Sequence, residues 1–272
     1  MRILLRTSRT AIWARRLGSV AVPLVIISIL LHRFRLITSD VFTVAALVAG
    51  AIGAAALIIS ILALARLWQS GDQGWGKALA GLFFATLSLV PYVWYGSLAL
   101  RYPAVTDMAT TDRGLMPLVF EPGTAAMPIP KMLTRAEMAA DFPNAETRSY
   151  PLGLVPTFDL VDQLVSANGW DIRMLRQSEE LGQINAQIMT LVGWREEVVI
   201  RVTGTATQSI VDMRSASLHA WHDFGDNGLR IEDFLGALDD AVTGLLRDNP
   251  EANLPAEPEA ETPVTVEQQP TP

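Results

Sequence analysis

A stretch of 25 residues, Val41–Ala65, contains no charged side chain. At a rise of about 1.5 Å per residue, a helix of this length crosses the hydrocarbon core of a bilayer, which is about 30 Å thick. Inside that core every backbone N–H and C=O group must be paired within the protein, so the segment must be helical. It therefore predicts a transmembrane helix and excludes a wholly water-soluble fold.

Apolar segments on either side of this stretch predict two more transmembrane helices. The run Leu17–Leu31 is short for a bilayer, so we expect its helix to continue to Ile37. A signal peptide is the alternative, but no cleavage site with small residues closes the run. In the third segment, we expect a kink at Pro91 and an aromatic belt around Tyr95. The expected spans are at about residues 17–37, 41–65 and 78–100, within a membrane domain of residues 1–101.

Arginine predicts the orientation of these spans. Residues 2–16 contain five arginines and no acid, and the positive-inside rule places such a segment in the cytoplasm. Three spans then put everything after Arg101 on the other side, which in a Gram-negative bacterium is the periplasm. Arg33 and Arg35, in the first outer loop, oppose this assignment. We therefore expect a multi-pass protein of the bacterial inner membrane with a periplasmic C-terminal domain.

Small residues recur at helical spacing in the second span, as at Ala45, Ala49 and Gly53. Such residues allow another helix to approach closely. We expect this stripe to pack within the chain. The alternative is assembly with a partner membrane protein through the transmembrane helices, in which the chain would be a structural subunit.

Short segments of alternating apolar residues predict strands in the soluble domain, residues 102–249. Four strands and one edge strand are expected, at Trp170–Arg176, Gln183–Leu191, Glu197–Thr203, Ser209–Ser215 and, at the edge, Thr147–Leu152. Residues 103–145 lack steady periodicity, so we expect an irregular segment there. Within it, the spacing of Thr134 and Glu137 predicts a short capped helical turn that ends near Ala140.

Two amphipathic helices complete the domain. The first begins near Pro156 and ends at Asn168–Gly169, and the second carries apolar residues from Ile231 to Leu245. This order predicts an α+β fold, in which an antiparallel sheet of four or five strands has two helices on one face. TATA-binding-protein-like and helix-grip-like arrangements both fit it. Residues 250–272 hold five Glu, no Lys or Arg and few apolar residues, so we expect a disordered acidic, Pro-rich tail.

Composition excludes several classes of site. The chain has no cysteine, which excludes disulfides, thiolate metal sites and cysteine nucleophiles. It has no glycine-rich nucleotide loop, and beyond residue 35 no basic cluster of the kind that binds nucleic acid. His219, His222 and Asp223 could ligate a metal, but this loop spacing lacks a second ligand pair. We therefore expect no cofactor, no metal site and no nucleic-acid partner.

Motifs between residues 193 and 231 carry most of the information about the domain. They are the acidic pair Glu196-Glu197, the run Val211-Asp212-Met213-Arg214-Ser215-Ala216-Ser217 and the segment DFGDNGLRI from Asp223 to Ile231. With Thr106-Asp107-Met108 upstream, they resemble the bacterial and plastid family called domain of unknown function 1499, over roughly residues 102–248. The chain departs from that family's pattern at Leu218, where a basic residue is usual, and at Ala220, where Gly is usual. The family has no assigned activity, so the resemblance implies a fold and a set of positions only.

Ten polar residues in and around these motifs form the candidate site. They are Glu196, Glu197, Arg201, Asp212, Arg214, Ser215, Ser217, Asp223, Asn227 and Arg230. One interpretation is structural, with the arginines in salt bridges and Asn227 holding the strand-to-helix connection. The other is a pocket in which Arg214 and Arg230, with backbone amides of a helix N-terminus, bind a carboxylate or phosphate. Adjacent strand residues point to opposite faces, so Glu196 and Glu197 are not expected to act as an acid–base pair.

A catalytic function has less support from the residues. Ser215 or Ser217 with His219 or His222 would supply the nucleophile and base of a hydrolase, but no nucleophile-elbow motif is present, and we expect no catalytic residues. The sequence thus predicts a membrane-anchored cell-envelope module of unknown, non-catalytic activity that binds a small anionic ligand, a lipid or a partner protein. The alternatives are a hydrolase acting on an envelope substrate and a structural subunit of a membrane complex.

Overall fold

A computed structural model describes residues 7–119 and 131–252 of the chain. The predicted acidic tail lies outside the described residues from position 253 onward, as do Arg2 and Arg6 at the other end. The described chain consists of three long N-terminal helices followed by an antiparallel sheet with helices packed on it. The predicted α+β class is therefore confirmed.

Three helices form the N-terminal part, namely α1 (Arg9–Arg33), α2 (Ser39–Ser70) and α3 (Trp75–Arg101). Each is long and apolar enough to cross a membrane. The first differs from the expected span at both ends, since it begins at Arg9 and stops at Arg33 instead of continuing to Ile37. Phe34 closes its last turn and Arg35 has a φ of 60°, a backbone conformation that cannot continue a right-handed helix.

Small residues bring the three helices close together. A Cβ on Gly53 would lie 2.6 Å from the Ser88 hydroxyl oxygen of α3, and one on Gly18 of α1 would lie 2.7 Å from the Gly81 carbonyl oxygen. Contacts this short leave no room for a larger side chain. The stripe through Gly53 thus packs within the chain, as predicted.

Six strands form one sheet, namely β1 (Asp107–Ala109), β2 (Arg148–Tyr150), β3 (Asp171–Gln177), β4 (Leu181–Met189), β5 (Arg195–Gly204) and β6 (Ser209–Ser217). The order across the sheet is β1-β6-β5-β4-β3, and β2 pairs with the other end of β6. All pairings are antiparallel, and β3 to β6 form the predicted successive hairpins. Strand β1 lies in the segment that was expected to be irregular, because three residues are too few to show an alternating pattern.

Helices α4 (Arg135–Asp141), α5 (Leu154–Ala167) and α6 (Asp226–Asp248) complete the domain. The short α4 is the predicted turn, with the capping box between Thr134 and Glu137. Helix α5 packs on β4 and β5, and α6 packs on β6 and β1. Their apolar stripes meet the sheet in one core, which includes Phe158, Val161, Ile184, Ile200, Met213, Ile231 and Leu235.

The sheet domain rests on the ends of the long helices. His32, near the end of α1, hydrogen-bonds the Val192 carbonyl oxygen through Nδ1 at 2.8 Å and stacks on Phe42 of α2. Arg33 donates to two carbonyl oxygens of the same β4–β5 turn, at 2.9 and 3.2 Å. Gly193 has a φ of 95° and approaches α1 so closely that a Cβ would lie 2.7 Å from the Arg33 Cα. The β4–β5 turn is therefore docked on α1.

Candidate functional site

The ten predicted residues divide between the two faces of the sheet. Because strand side chains alternate, Ser215 and Ser217 lie on the face covered by α6, here called the helix face, where they contact Asn227. Arg214 lies on the opposite, outer face, where it contacts residues before α4. Arg230 belongs to α6 and to the helix face. The structure therefore does not bring Arg214 and Arg230 together in one pocket.

Arg230 holds the network on the helix face. Its guanidinium donates to the Glu196 carboxylate through Nη2 and to Ser215 Oγ through Nη1, the latter at 2.8 Å. Ser215 Oγ donates in turn to Asn227 Oδ1 at 2.7 Å, and Ser217 Oγ donates to Glu196 Oε1 at 2.8 Å. The Arg230 and Glu196 side chains are only 14% and 3% exposed. This buried ion pair thus ties the first turns of α6 to the ends of β5 and β6.

Asp223 binds the start of α6. Its carboxylate accepts hydrogen bonds from two backbone N–H groups, at 3.1 and 3.3 Å. Burial raises the pKa of Asp223 to about 6, although the two N–H donors lower it. Asp226, the first residue of α6, has its pKa raised to about 6 by burial and by the negative charge of Glu196. Asp223 and Asp226, beside Glu196, therefore bind protons more tightly than isolated carboxyls do.

We expect Asp226→Asn to stabilise the protein at alkaline pH. The folded chain holds a proton on Asp226 up to about pH 6, whereas the unfolded chain releases it near pH 4. The stability that this carboxyl contributes is therefore fully present below about pH 4 and is lost as the pH rises to about 6. The neutral amide avoids that loss, which for two pKa units is about 2.7 kcal/mol at most. Asp226 is only partly buried and water screens its charge, so we expect the variant to be more stable than wild type at pH 8 by about 1 kcal/mol.

Melting temperatures between pH 4 and pH 8 check this expectation. The difference between variant and wild type should be small at pH 4 and should grow as the pH rises. Asp233→Asn, at an exposed position of the same helix, is the matched control. Parallel curves for wild type and Asp226→Asn would contradict the expectation.

Arg214 holds a second network on the outer face. Its guanidinium makes a bidentate ion pair with Asp107, through Nε at 3.1 Å and Nη2 at 2.8 Å, and Nη1 donates to the Met116 carbonyl oxygen at 2.8 Å. The Arg214 and Asp107 side chains are 12% and 3% exposed. Arg113 adds an ion pair with Asp107 at 3.3 Å. The segment from β1 to Met116 thus closes over the pair and keeps it largely from water.

The remaining predicted residues also have partners within the protein. Arg201 lies opposite Asp212 on the neighbouring strand, 3.5 Å away, and Thr147 donates to Asp212 at 2.7 Å. Glu197 accepts from Asn185 at 2.8 Å, and its burial raises its pKa. Each of the ten residues is therefore hydrogen-bonded or ion-paired, which favours the structural interpretation. Their predicted role in ligand binding stays a prediction.

Neither serine of the predicted hydrolase donates its hydroxyl hydrogen to His219 or His222. A hydroxyl has one hydrogen, and those of Ser215 and Ser217 are donated to Asn227 and Glu196. His222 accepts from the Phe224 backbone N–H at 2.9 Å. Among residues 7–119 and 131–252, no group of three or more His, Asp or Glu side chains is placed to hold a metal ion.

An apolar cavity of about 220 Å³ lies where the domain meets the long helices. All three helices and the domain contribute to its wall, which is lined by Val25, Ser28, Ile29, Phe42, Thr43, Ala46, Leu47, Pro91, Tyr92, Tyr95, Val192, Trp194 and Phe224. The Tyr92 hydroxyl donates to the Ala46 carbonyl oxygen at 2.6 Å, so this polar group is satisfied beside the cavity. Sequence reasoning interpreted Tyr95 as part of an interfacial belt and did not predict this site, which we call the junction cavity.

Comparison with known proteins identifies a family for part of the chain. A search of curated proteins finds no match. Residues 130–238 include β2 to β6 and most of the candidate site, but exclude β1 and the three long helices. Over these residues the chain matches the family described as "Protein of unknown function (DUF1499)", which confirms the resemblance predicted from the sequence.

Proposed function

We propose that the chain is a non-catalytic protein of the bacterial inner membrane that holds its α+β domain in the periplasm and binds a lipid where the domain meets the helices. The junction cavity is the observation that carries this proposal. Its wall combines three helices that are long and apolar enough to cross a membrane with Val192, Trp194 and Phe224 of the domain. A molecule bound there would contact both parts of the protein.

The size and chemistry of the junction cavity suit an acyl chain. An apolar cavity of about 150 Å³ can take up a benzene-sized molecule, so one of about 220 Å³ accommodates a larger apolar group. Within a membrane, the apolar group at hand is the acyl chain of a lipid. The polar networks around Arg214 and Arg230 would then hold the domain in shape beside the ligand.

Charge distribution supports the proposed orientation. Thr7 pairs with Gln73, which brings the N-terminal segment and the α2–α3 loop to the same end of the helices. Among the described residues, the basic side chains at or near that end are Arg9, Arg15, Arg16, Arg66 and Lys77, whereas those at the domain end of the helices are Arg33, Arg35 and Arg101. The positive-inside rule favours the cytoplasm for the more basic end. The domain would then lie in the periplasm.

Narrowing the junction cavity tests the proposal. Ala46 lines the cavity, so Ala46→Leu should exclude roughly two methylene groups of a bound chain, which costs about 1.6 kcal/mol. We expect native mass spectrometry of the full chain, released from phosphatidylcholine nanodiscs, to show bound lipid on the wild type and about tenfold less on the variant. Ala51→Leu is the matched control, because Ala51 is an exposed residue of the same helix.

The proposal would be overturned if the wild type, Ala46→Leu and Ala51→Leu all retained the same amount of lipid. Arg214→Gln distinguishes binding in the junction cavity from binding at the Arg214 site that the sequence predicted. Loss of the bound mass in Arg214→Gln, with Ala46→Leu unaffected, would instead locate the ligand on the outer face of the sheet.

A further inference from the structure

A second, polar cavity lies beside the junction cavity at the end of α1. It has a volume of about 650 Å³, which is within the usual range of about 300–1,000 Å³ for small-molecule sites. The α1–α2 loop and the first residues of α2 form one wall, and the other is formed by residues at the adjoining ends of β4 and β5 and by residues that follow β6. His32 connects the two cavities, because it lines the polar one and stacks on Phe42, which lines the apolar one.

The ionisable residues of this polar cavity are mostly basic. Arg35, Arg195, His32 and His219 line it, and Asp40 is the acidic residue among its lining side chains. Ser39, at the start of α2, also lines the cavity and brings a hydroxyl group close to His32 Nε2 at 3.2 Å. Two guanidinium groups within one cavity favour a phosphate over a neutral group, because each can donate more than one charge-assisted hydrogen bond.

Exposed apolar side chains surround the same cavity. Leu36, Trp221 and Met189 line it and are 70%, 68% and 41% exposed. Trp is typical of the membrane–water interface, and the cavity adjoins the end of a helix that is long and apolar enough to cross a membrane. A basic cavity with an apolar rim at this level matches the boundary between lipid headgroups and acyl chains.

We propose that this cavity binds the phosphate of an anionic phospholipid from the leaflet that adjoins the domain. Arg35 and Arg195 bind the phosphate, and the rim residues Leu36 and Trp221 contact the upper part of the acyl chains. The two guanidinium groups also repel a headgroup that carries its own cation, such as choline, so an uncharged glycerol headgroup is preferred. This inference rests on the proposed function and adds headgroup selectivity to it. The junction cavity determines whether lipid is retained, and the polar cavity determines which lipid is retained.

The experiment measures the ratio of two lipids on the full chain. Wild type is assembled in nanodiscs of equimolar phosphatidylglycerol and phosphatidylcholine, released into the gas phase, and examined for both bound lipids by native mass spectrometry. We expect wild type to retain phosphatidylglycerol over phosphatidylcholine by about tenfold. Arg35→Gln and Arg195→Gln should each bring the ratio close to one. Arg176→Gln, on exposed strand β3, should keep the wild-type ratio.

Each outcome distinguishes one part of the inference. A ratio near one in wild type, or a preference that survives both variants, overturns the selectivity of this cavity for anionic phospholipid. Loss of the preference on adding inorganic phosphate identifies a soluble anion and overturns the lipid assignment. Arg195 lies in β5, so Arg195→Gln could prevent folding. In that case Arg35→Gln, in the exposed α1–α2 loop, provides the test of selectivity. Ala46→Leu separates the two proposals, because it should lower total retention and leave the ratio unchanged.

Discussion

We expect Arg214→Ala to lower the free energy of unfolding by about 3–5 kcal/mol, the usual cost of removing one partner of a buried ion pair. The variant leaves the Asp107 carboxylate, 3% exposed, without its bidentate partner. It also removes the donor to the Met116 carbonyl oxygen. The segment from β1 to Met116 thus loses both an ion pair and a hydrogen bond to the sheet. Arg113, at 3.3 Å from Asp107, compensates for part of the lost charge.

Thermal melting of the full chain in detergent, followed by tryptophan fluorescence, measures this effect. The melting temperature should fall by about 10 °C, since 1 kcal/mol corresponds to roughly 2–4 °C in a chain of this size. Arg247→Ala is the control, because the Arg247–Asp248 pair is 77% and 66% exposed and such surface pairs contribute little. An unchanged melting temperature in Arg214→Ala would contradict the structural interpretation and favour the ligand-binding role predicted for this residue.

The sequence predicted most of the fold, because the physical signals were local. Twenty-five residues without a charge require a transmembrane helix, and the alternation of apolar residues in β4 to β6 predicts strands. Two features of the fold, the start of α1 and the existence of strand β1, could not be predicted from such local patterns. Helix α1 starts at Arg9, although polar residues near its start carry no apolar pattern. Strand β1 is defined by its pairing with Arg214, Ser215 and Ala216, a contact between segments about a hundred positions apart.

The positions of the candidate-site residues follow from the rule that successive strand side chains point to opposite faces of the sheet. That rule correctly predicted that Glu196 and Glu197 point to opposite faces. Applied to β6, it also separates Arg214 from Ser215, and Ser215 contacts α6 through Asn227. Arg230, as a residue of α6, then has to lie on the helix face. Strand alternation, together with the packing of α6 on one face, is therefore sufficient to assign the two arginines to separate networks.

The junction between helices and domain could not be predicted from the sequence, because none of its contacts is local. His32 and Val192 are 160 positions apart, and the wall of the junction cavity combines five separate segments of the chain. Small and apolar residues lining such a cavity are indistinguishable, by residue type, from residues that pack in a core or face lipid. The docking of the β4–β5 turn on α1 and the contact of Phe224 with Tyr95 of α3 bring them together.

The last expected result tests that docking directly. Gly193→Ala should destabilise the protein by about 3 kcal/mol, because it combines two costs. A side chain at its φ of 95° is strained, which costs about 1–2 kcal/mol. The new Cβ would also lie 2.7 Å from the Arg33 Cα, so α1 or the β4–β5 turn must move. That movement weakens the hydrogen bond that His32 Nδ1 donates to the Val192 carbonyl oxygen of the turn.

Gly169→Ala is the matched control for Gly193→Ala. Gly169 also has a positive φ, 67°, but nothing lies within 4 Å of a Cβ placed there, so this variant carries backbone strain alone. We expect both variants to lower the melting temperature, and Gly193→Ala to lower it further. Hydrogen exchange of the β4–β5 turn should become faster in Gly193→Ala and stay unchanged in Gly169→Ala, because only the former separates the turn from α1. Equal exchange in the two variants would mean that the domain does not depend on α1 for its position, and the junction cavity would then lose the rigid wall that lipid binding requires.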